Sequence, residues 1–419
     1  MVRRTQSEGP TATLGRRTLV QSALKLGLLG WAAGPAARAL SLIGTSEAAT
    51  PDTVANLFDS LADEWFIDEV AGAKEAAEAL GFSTQNLTFG SNPATQLSQV
   101  QDGVTRGIKM FAIYAPLGQG LTQMVRAAGD TAHLVFEYDI PPWTYPSTYG
   151  PAYGFYVVDN IAPGAYTAGK RVLNMIGGKG NVVVMTAFPG GQDNEGCEVG
   201  FKQALAEFPE IKVLAKAPGK FSREPAQKLM ADWLVQFPKI DAVLSYADTQ
   251  SLGIYTAMQQ AGRTDIKIAS VNGQIEGLQG VKDGKIAATV FLNPFMVGGW
   301  RTVRLYDLLH GWMPNALERM YWVDVNVVDQ TNVDQYLHLS KSKPSPYDWK
   351  KMSRVLHPND WENQAPWYPI NPVEFWKDRN LGQPEPAGWL PVDVKQALDS
   401  GAFEKLIQDY KSHIGKQPI

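Results

Sequence analysis

The chain has 419 residues, a formal net charge of −4 and 19% charged residues. This length is sufficient for two domains that each bury a core, and the charge balance excludes the basic stripe expected of a nucleic-acid-binding protein. Twelve tryptophans and 10% aromatic residues are more informative, because aromatic side chains favour cores, interfaces and carbohydrate-type pockets.

Residues 1–49 have the order of an export signal. Arg16 and Arg17 precede the apolar run LKLGLLGWAAGPAA and the small-residue stretch SEAAT, which is the order of a cleaved signal. Paired arginines before a mildly hydrophobic core indicate the twin-arginine route. The alternative, a transmembrane anchor, needs about 18 unbroken apolar residues, and the run is shorter. Cleavage is expected near Ala48 or Ala49, with Ala39 as an alternative.

Cys197 is the only cysteine in the chain. An intrachain disulfide is therefore excluded, and no cysteine near the cleavage region is available for a lipid anchor. We expect an exported protein that is free in the periplasm.

Residues 53–139 alternate between short apolar runs and stretches with helical periodicity. The predicted strands are 53–61, 82–90, 109–116 and 133–139, and the predicted helices are 63–81, 92–107 and 121–129. This alternation favours a parallel, doubly wound sheet. Residues 141–154, rich in Pro, Tyr and Gly, are predicted to form an inserted surface loop.

The alternation continues to residue 330. Further strands are predicted at 155–160, 181–188, 211–219, 241–247, 266–272, 285–294 and 321–330. Helices are predicted at 162–180, within 190–209, and at 222–238, 253–262, 273–284 and 293–311. Asp248 follows a strand and is predicted to cap the next helix. Asp248 and Asn272 then end two neighbouring strands, at the sheet edge where open α/β folds bind ligands.

Several motifs in this region agree with one known family. The chain has Ala247-Asp248 and Asn272-Gly273 at strand ends, followed by Asp283-Gly284-Lys285-Ile286-Ala287-Ala288-Thr289. The segment NPATQLSQVQDGVTRGIK matches a helix of the first lobe. Over residues 52–338 the chain resembles the ribose-binding-protein-like, type I periplasmic binding proteins that serve ABC sugar transporters.

The resemblance implies two doubly wound parallel-sheet lobes joined by a three-segment hinge. We assign 50–157 and 293–322 to an N-terminal lobe, and 158–292 and 323–338 to a C-terminal lobe, with crossings near 155–160, 290–294 and 322–328. Residues 339–419 form a Trp- and Pro-rich extension. It is too aromatic for a disordered tail, and is expected to wrap a lobe or the hinge, or to provide a docking or dimer surface.

Polar and aromatic residues gather at the predicted strand ends, as a sugar or polyol site requires. The predicted ligand-binding residues are Asp63, Trp65, Phe66, Glu137, Tyr138, Asp139, Asn194, Tyr246, Asp248 and Asn272. The resemblance places Asp63, Trp65 and Phe66 on a hydrogen-bonding and stacking motif, and Asp248 and Asn272 on or beside polar contacts of the other lobe. Trp65, Phe188 and Tyr246 are alternatively core residues, and Asp248 alternatively only caps its helix.

The predicted pocket departs from the family pattern because arginines are missing. Tyr138-Asp139-Ile140 and Glu195-Gly196-Cys197 occupy positions where family sites have arginine, and Leu292 replaces a glutamine. Unpaired buried carboxylates are costly unless the ligand supplies donors or positive charge. A neutral sugar or polyol supplies hydroxyl donors, whereas an amino-bearing or quaternary ammonium ligand supplies charge and cation–π attraction.

The leading hypothesis is a monomeric, non-catalytic receptor without cofactor or metal that closes over its ligand and docks on an ABC permease. An exported glycoside-processing enzyme is the alternative of another class, since pairs such as Asp63/Glu64 or Glu137/Asp139 resemble acid and base. The chain has only five histidines, with no HExxH or GxSxG motif. A lactose-repressor-like regulator would need a DNA-binding helix pair before Pro51, where the export signal lies.

Overall fold

A computed structural model describes residues 52–62, 64–114, 118–188 and 190–419. The predicted export signal and Asp63 lie outside the described residues. Within the described part, no helix is long and apolar enough to cross a membrane.

The described residues form strands and helices in close alternation. The strands are β1 Thr53–Phe58, β2 Ser83–Thr88, β3 Met110–Tyr114, β4 His133–Glu137, β5 Tyr153–Asn160, β6 Lys179–Thr186, β7 Glu210–Pro218, β8 Ala242–Ser245, β9 Lys267–Asn272, β10 Ala288–Phe291, β11 Met320–Asp324, β12 Asn326–Val328 and β13 Trp367–Pro369. The helices are α1 Glu64–Leu80, α2 Pro93–Thr105, α3 Leu121–Ala128, α4 Ile161–Met175, α5 Gln192–Ala206, α6 Arg223–Gln236, α7 Asp248–Gln260, α8 Ile275–Lys282, α9 Pro294–Leu309, α10 Val333–Lys341, α11 Trp349–Met352, α12 Pro372–Arg379, α13 Val392–Asp399 and α14 Ala402–Ser412.

Two sheets divide this part of the chain into two lobes. The first sheet has the order β13-β11-β5-β4-β3-β1-β2, and the second has the order β12-β10-β9-β8-β6-β7. All pairings are parallel except those of β13 with β11 and of β12 with β10. Strands β1, β8 and β10 inside the sheets are fully buried, as expected for parallel sheets covered by helices on both faces. The predicted architecture of two doubly wound lobes is confirmed.

Three connections pass between the sheets. β5 ends the first crossing at Asn160, after which α4 packs on the second sheet. β10 returns the chain through Asn293 to α9, which packs on α1. The third crossing takes place between β11 in the first sheet and β12 in the second. The two lobes are therefore joined by three chain segments, as in a three-segment hinge.

The C-terminal extension is integrated into the first lobe. β13 pairs with β11 at the sheet edge, and the Trp367 ring stacks on Trp300 of α9 with centroids 4.0 Å apart. Trp349, Trp361 and Trp376 are also buried. The extension therefore forms part of the hydrophobic core of this lobe.

Residues 141–154 were predicted to form an inserted surface loop. This prediction is wrong for part of the segment, which is buried. Tyr145 and Tyr153 are 1% and 0% exposed. The extension covers the segment, because Trp376 Nε1 donates to the Thr144 carbonyl at 3.0 Å and the Trp143 indole lies against Trp389. The burial of this segment depends on contacts with residues at least 232 positions away in the sequence, so its local composition does not predict it.

Candidate functional site

A cavity of about 190 Å³ lies between the two lobes, at the carboxyl ends of their strands. This volume is below the roughly 300–1,000 Å³ of drug-sized ligand sites, and it therefore suits a small molecule. Seven of the lining side chains are aromatic: Trp65, Phe66, Tyr114 and Tyr138 from the first lobe, and Phe188, Phe221 and Tyr246 from the second.

The first-lobe wall is a set of rings packed edge to face. Trp65 meets Tyr138 with centroids 5.9 Å apart, and Phe66 meets Tyr114 at 5.0 Å. Trp65 and Phe66 are in the first turn of α1, which follows β1 after a short loop, while Tyr114 ends β3 and Tyr138 directly follows β4. Mutual edge-to-face packing fixes the orientation of such rings, so this wall is preformed.

Tyr138 has a strained backbone, with φ of 59° in the left-handed region. Its hydroxyl donates to the buried Asp159 carboxylate, and its carbonyl accepts from the Tyr156 hydroxyl at 2.5 Å. A bulky residue keeps this conformation only where its surroundings hold it, and such residues cluster at functional sites. In this conformation the Tyr138 side chain lines the cavity.

The second-lobe wall contains a similar departure at the end of β9. Asn272 lines the cavity with φ of 114°. It is followed by Gly273, whose φ is 65° and where a Cβ would lie 2.6 Å from Phe291 Cα. Only glycine fits there. Tyr246 completes this wall and donates to Glu198 at 2.6 Å.

The charged residues that line the cavity are both acids, Asp59 and Asp193. None of the described lining residues is Lys, Arg or His. Burial and the nearby Asp139 carboxylate raise the pKa of Asp193 to about 7. Asp59 accepts from the Ser91 hydroxyl at 2.8 Å. The described part of the cavity wall thus offers carboxylate oxygens and flat aromatic rings, and no cationic side chain.

The structure brings half of the predicted site residues to the cavity wall. Trp65, Phe66, Tyr138, Tyr246 and Asn272 line it, and Trp65 is thus a wall residue as well as a member of the core cluster.

Two more predicted residues are buried beside the wall. Asp139 accepts from the Gln192 backbone N–H at 2.7 Å, and Asn194 accepts from the Ala187 N–H at 3.1 Å.

Glu137 is placed elsewhere, in a buried ion cluster. Its carboxylate accepts from Arg301 of α9, and the same guanidinium donates to Glu69 of α1. All three side chains are at most 1% exposed. The expectation of an unpaired carboxylate is therefore wrong for Glu137, because Arg301, distant in sequence, neutralises it. Burial raises the pKa of Glu69 well above its ordinary value.

Asp248 connects elements of the second lobe and does not line the cavity. Its carboxylate accepts from Ser270, Thr289 and the Gln274 backbone N–H at 2.5, 2.7 and 3.0 Å. It is the first residue of α7, and Ala247 is the N-cap, so the prediction that Asp248 caps the helix is wrong. Burial raises the pKa of Asp248 to about 6, although these hydrogen bonds oppose the shift.

Several lining residues were not predicted as site residues. They include Asp59, Tyr114, Ile161, Cys197, Phe221 and Thr249. Asp59 and Tyr114 are at strand ends, so the rule that located Trp65 also applies to them. Phe221 belongs to a loop with positive φ of 52°, for which the sequence carries no comparable signal.

Fold and site define a two-lobed α/β binding protein with a small cavity at the interface of its lobes. Residues 54–311 match the family model described as periplasmic binding protein domain. The chain therefore belongs to the periplasmic binding protein family.

Among curated proteins, the chain is similar to the ribose import binding protein RbsB of Salmonella typhimurium. The two are 29% identical over 291 residues, which is 69% of this chain and 95% of that protein. It is also 30% identical over 205 residues to a xylitol-binding protein of Mycolicibacterium smegmatis, covering 48% of this chain and 56% of that protein.

Solved structures with the same fold include a periplasmic sugar-binding protein from Pseudomonas fluorescens. Its TM-score is 0.65 at 22% identity, covering 74% of this chain and 96% of that chain. A solute binding protein from Bacillus halodurans with bound myo-inositol has a TM-score of 0.61 at 19% identity, covering 70% and 99%. At 19% and 22% sequence identity, these comparisons show a shared fold only.

Proposed function

We propose that the protein is a periplasmic receptor that binds a monosaccharide or small polyol between its lobes and delivers it to the permease of an ABC transporter. The observation that carries the proposal is the small interlobe cavity with aromatic walls and carboxylate acceptors. Curated relatives with ribose and xylitol in their names support the ligand class.

The cavity chemistry matches a polyhydroxyl ligand. Aromatic faces pack on the C–H surface of a sugar, and carboxylate oxygens accept from hydroxyl groups. We assign the stacking to Trp65, Phe66 and Tyr138, and the polar contacts to Asp59, Asp193 and Asn272. A volume of about 190 Å³ favours one ring over an oligosaccharide.

Binding is proposed to act by lobe closure. The lobes meet at the cavity, where Asp139 of the first lobe accepts from the Gln192 N–H of the second. A ligand that touches both walls stabilises this arrangement over a separated one by its differential affinity. The permease would then recognise the closed form, with the receptor acting as a monomer and without catalysis.

The same geometry gives little support for a glycoside-processing enzyme. Glu137, one of the carboxylates considered as acid or base, is bound to Arg301 and buried in the first lobe. The remaining carboxylates are better explained as hydrogen-bond acceptors for a ligand.

An amino-bearing ligand is the second candidate, and the lining charges favour it specifically. Two carboxylates and seven rings surround the cavity without a described lining cation. An ammonium group would pair with Asp193 and make cation–π contacts.

Ligand screening by tryptophan fluorescence and thermal shift tests both candidates. The panel contains ribose, xylitol, myo-inositol, glucosamine, choline and glucuronate. We expect a response to a neutral or amino-bearing polyol and none to glucuronate, whose carboxylate would face Asp193. Trp65→Ala should weaken the response at least tenfold, whereas Val235→Ala, at a side chain 90% exposed on α6, should not change it. A panel without any response contradicts the proposal.

A further inference from the structure

Helix α12 of the C-terminal extension contacts both lobes. Its middle is anchored in the first lobe, where the Phe375 ring lies 6.0 Å from that of Tyr156 on β5 and Trp376 Nε1 donates to the Thr144 carbonyl. Both anchoring side chains are at most 1% exposed. α12 also packs against α5 of the second lobe. If the second lobe moved relative to the first, α12 would therefore keep its contacts with the first lobe and change only its contacts with α5.

Arg379, the last residue of α12, lies at the contact with α5. Its Nη2 atom lies 3.7 Å from the position that a Cβ on Gly196 would occupy, and the same Cβ would lie 3.1 Å from Ile161 Cβ. The guanidinium therefore sits against a part of α5 that has no side chain. Ile161 and Cys197, the neighbours of this contact, line the ligand cavity.

The Arg379 side chain is largely buried, and its guanidinium is not neutralised by a close ion pair. The residue is 7% exposed, and its guanidinium lies over the Phe375 ring at 4.9 Å. Within the described ranges Arg379 forms no ion pair with a carboxylate at 4.0 Å or less. Glu195 of α5 attracts the charge over a longer distance, as does Asp378, yet burial lowers the pKa of Arg379.

A buried cation without a close partner raises the free energy of the arrangement that buries it. Separation of α5 from α12 would hydrate the guanidinium more fully, while the Phe375 and Trp376 anchors would remain in the first lobe. We infer that Arg379 is a positioning residue that opposes lobe closure and holds the ligand-free receptor toward an open form. The extension would thereby set the affinity of a cavity that it does not line.

The inference is tested without any ligand by measuring the distance between the lobes. Nitroxide labels at Lys74 on α1 and Val235 on α6, both exposed, report this distance by pulsed electron resonance in a Cys197→Ser background. Arg379→Met keeps the apolar stem and removes the charge. We expect the separated population to fall about three- to tenfold. Arg379→Lys, which keeps the charge, should remain close to wild type.

Lys377→Met is the matched control, because Lys377 is exposed on the same helix. It should leave the distance distribution unchanged. An unchanged or longer distance in Arg379→Met overturns the inference, as does an equal shift in Arg379→Lys, which would assign the effect to packing. Urea unfolding of each variant verifies that it is folded. Since no ligand is added, the result is independent of the ligand-screening outcome.

Discussion

The Asp139 carboxylate of the first lobe accepts a hydrogen bond from the backbone N–H of Gln192 in the second lobe, with a distance of 2.7 Å. Gln192 is the first residue of α5, so the carboxylate lies at the positive end of a helix. The bond joins two segments that follow strands of different sheets, and it is adjacent to the cavity residue Asp193. It therefore links the lobe arrangement directly to the ligand site.

Removal of this bond should accelerate ligand release. We expect Asp139→Ala to raise the dissociation rate of the best ligand about tenfold, since loss of one partner of a buried charged hydrogen bond acts mainly on dissociation. Asp139→Asn retains an acceptor oxygen and should have a smaller effect. Stopped-flow fluorescence measures both rates. Equal dissociation rates for Asp139→Ala and wild type would show that the bond does not hold the lobes.

Asp193 should make the folded protein less stable as the pH rises. Its pKa is about 7 in the folded protein against an ordinary 3.8, so between these values the folded state binds more protons than the unfolded state. Its contribution is therefore complete below pH 4 and is lost as the pH passes 7.

Asp193→Asn cannot ionise and should be more stable than wild type at pH 8 by about 1 to 3 kcal/mol, with no difference at pH 4. Urea unfolding at the two pH values measures this. Asp248, whose pKa is also raised, is present in both proteins and cancels in the comparison. A stability difference that is the same at pH 4 and pH 8 would contradict the assignment.

The cluster of Arg301 with Glu69 and Glu137 should be sensitive to loss of the arginine. Arg301→Met leaves two carboxylates together in the core, and we expect a loss of about 3–5 kcal/mol at pH 7. The loss should be smaller at pH 5, where protonation removes the repulsion. Arg263→Met, at the partly exposed ion pair with Asp265, should cost less than about 1 kcal/mol. Similar losses in the two variants would be inconsistent with a buried cluster.

The parallel-sheet architecture is predictable because each strand is a short apolar run between helical stretches, as β8 and β9 illustrate. The same local signal located Trp65, Phe66 and Tyr138, which follow strands. It failed for Glu137, which also ends a strand, because the position of Arg301 depends on how α9 returns to the first lobe. The position of a residue at a strand end does not specify whether its side chain points into the cavity or into the core of the lobe.

Backbone conformation was the second obstacle. Phe221 lines the cavity but was not predicted, and it adopts a positive φ of 52° that a phenylalanine does not signal. Arg379 was not predicted for a different reason, since it lies in the extension, outside residues 52–338 over which the sequence resembles the family. The family motifs that predicted the two lobes contain no residues equivalent to those of the extension.

The extension should be required for stability of the first lobe, although the family match ends before it. Trp367 is 0% exposed, pairs through β13 with β11 and stacks on Trp300. Trp367→Ala should therefore cost about 3–5 kcal/mol by cavity formation. Trp389→Ala, at a partly exposed ring bonded to Glu385, is the matched control and should cost less than about 1.5 kcal/mol. Urea midpoints measured by circular dichroism compare the two. If Trp367→Ala unfolds at the wild-type urea concentration, the extension is only an appendage, and the first lobe is complete without it.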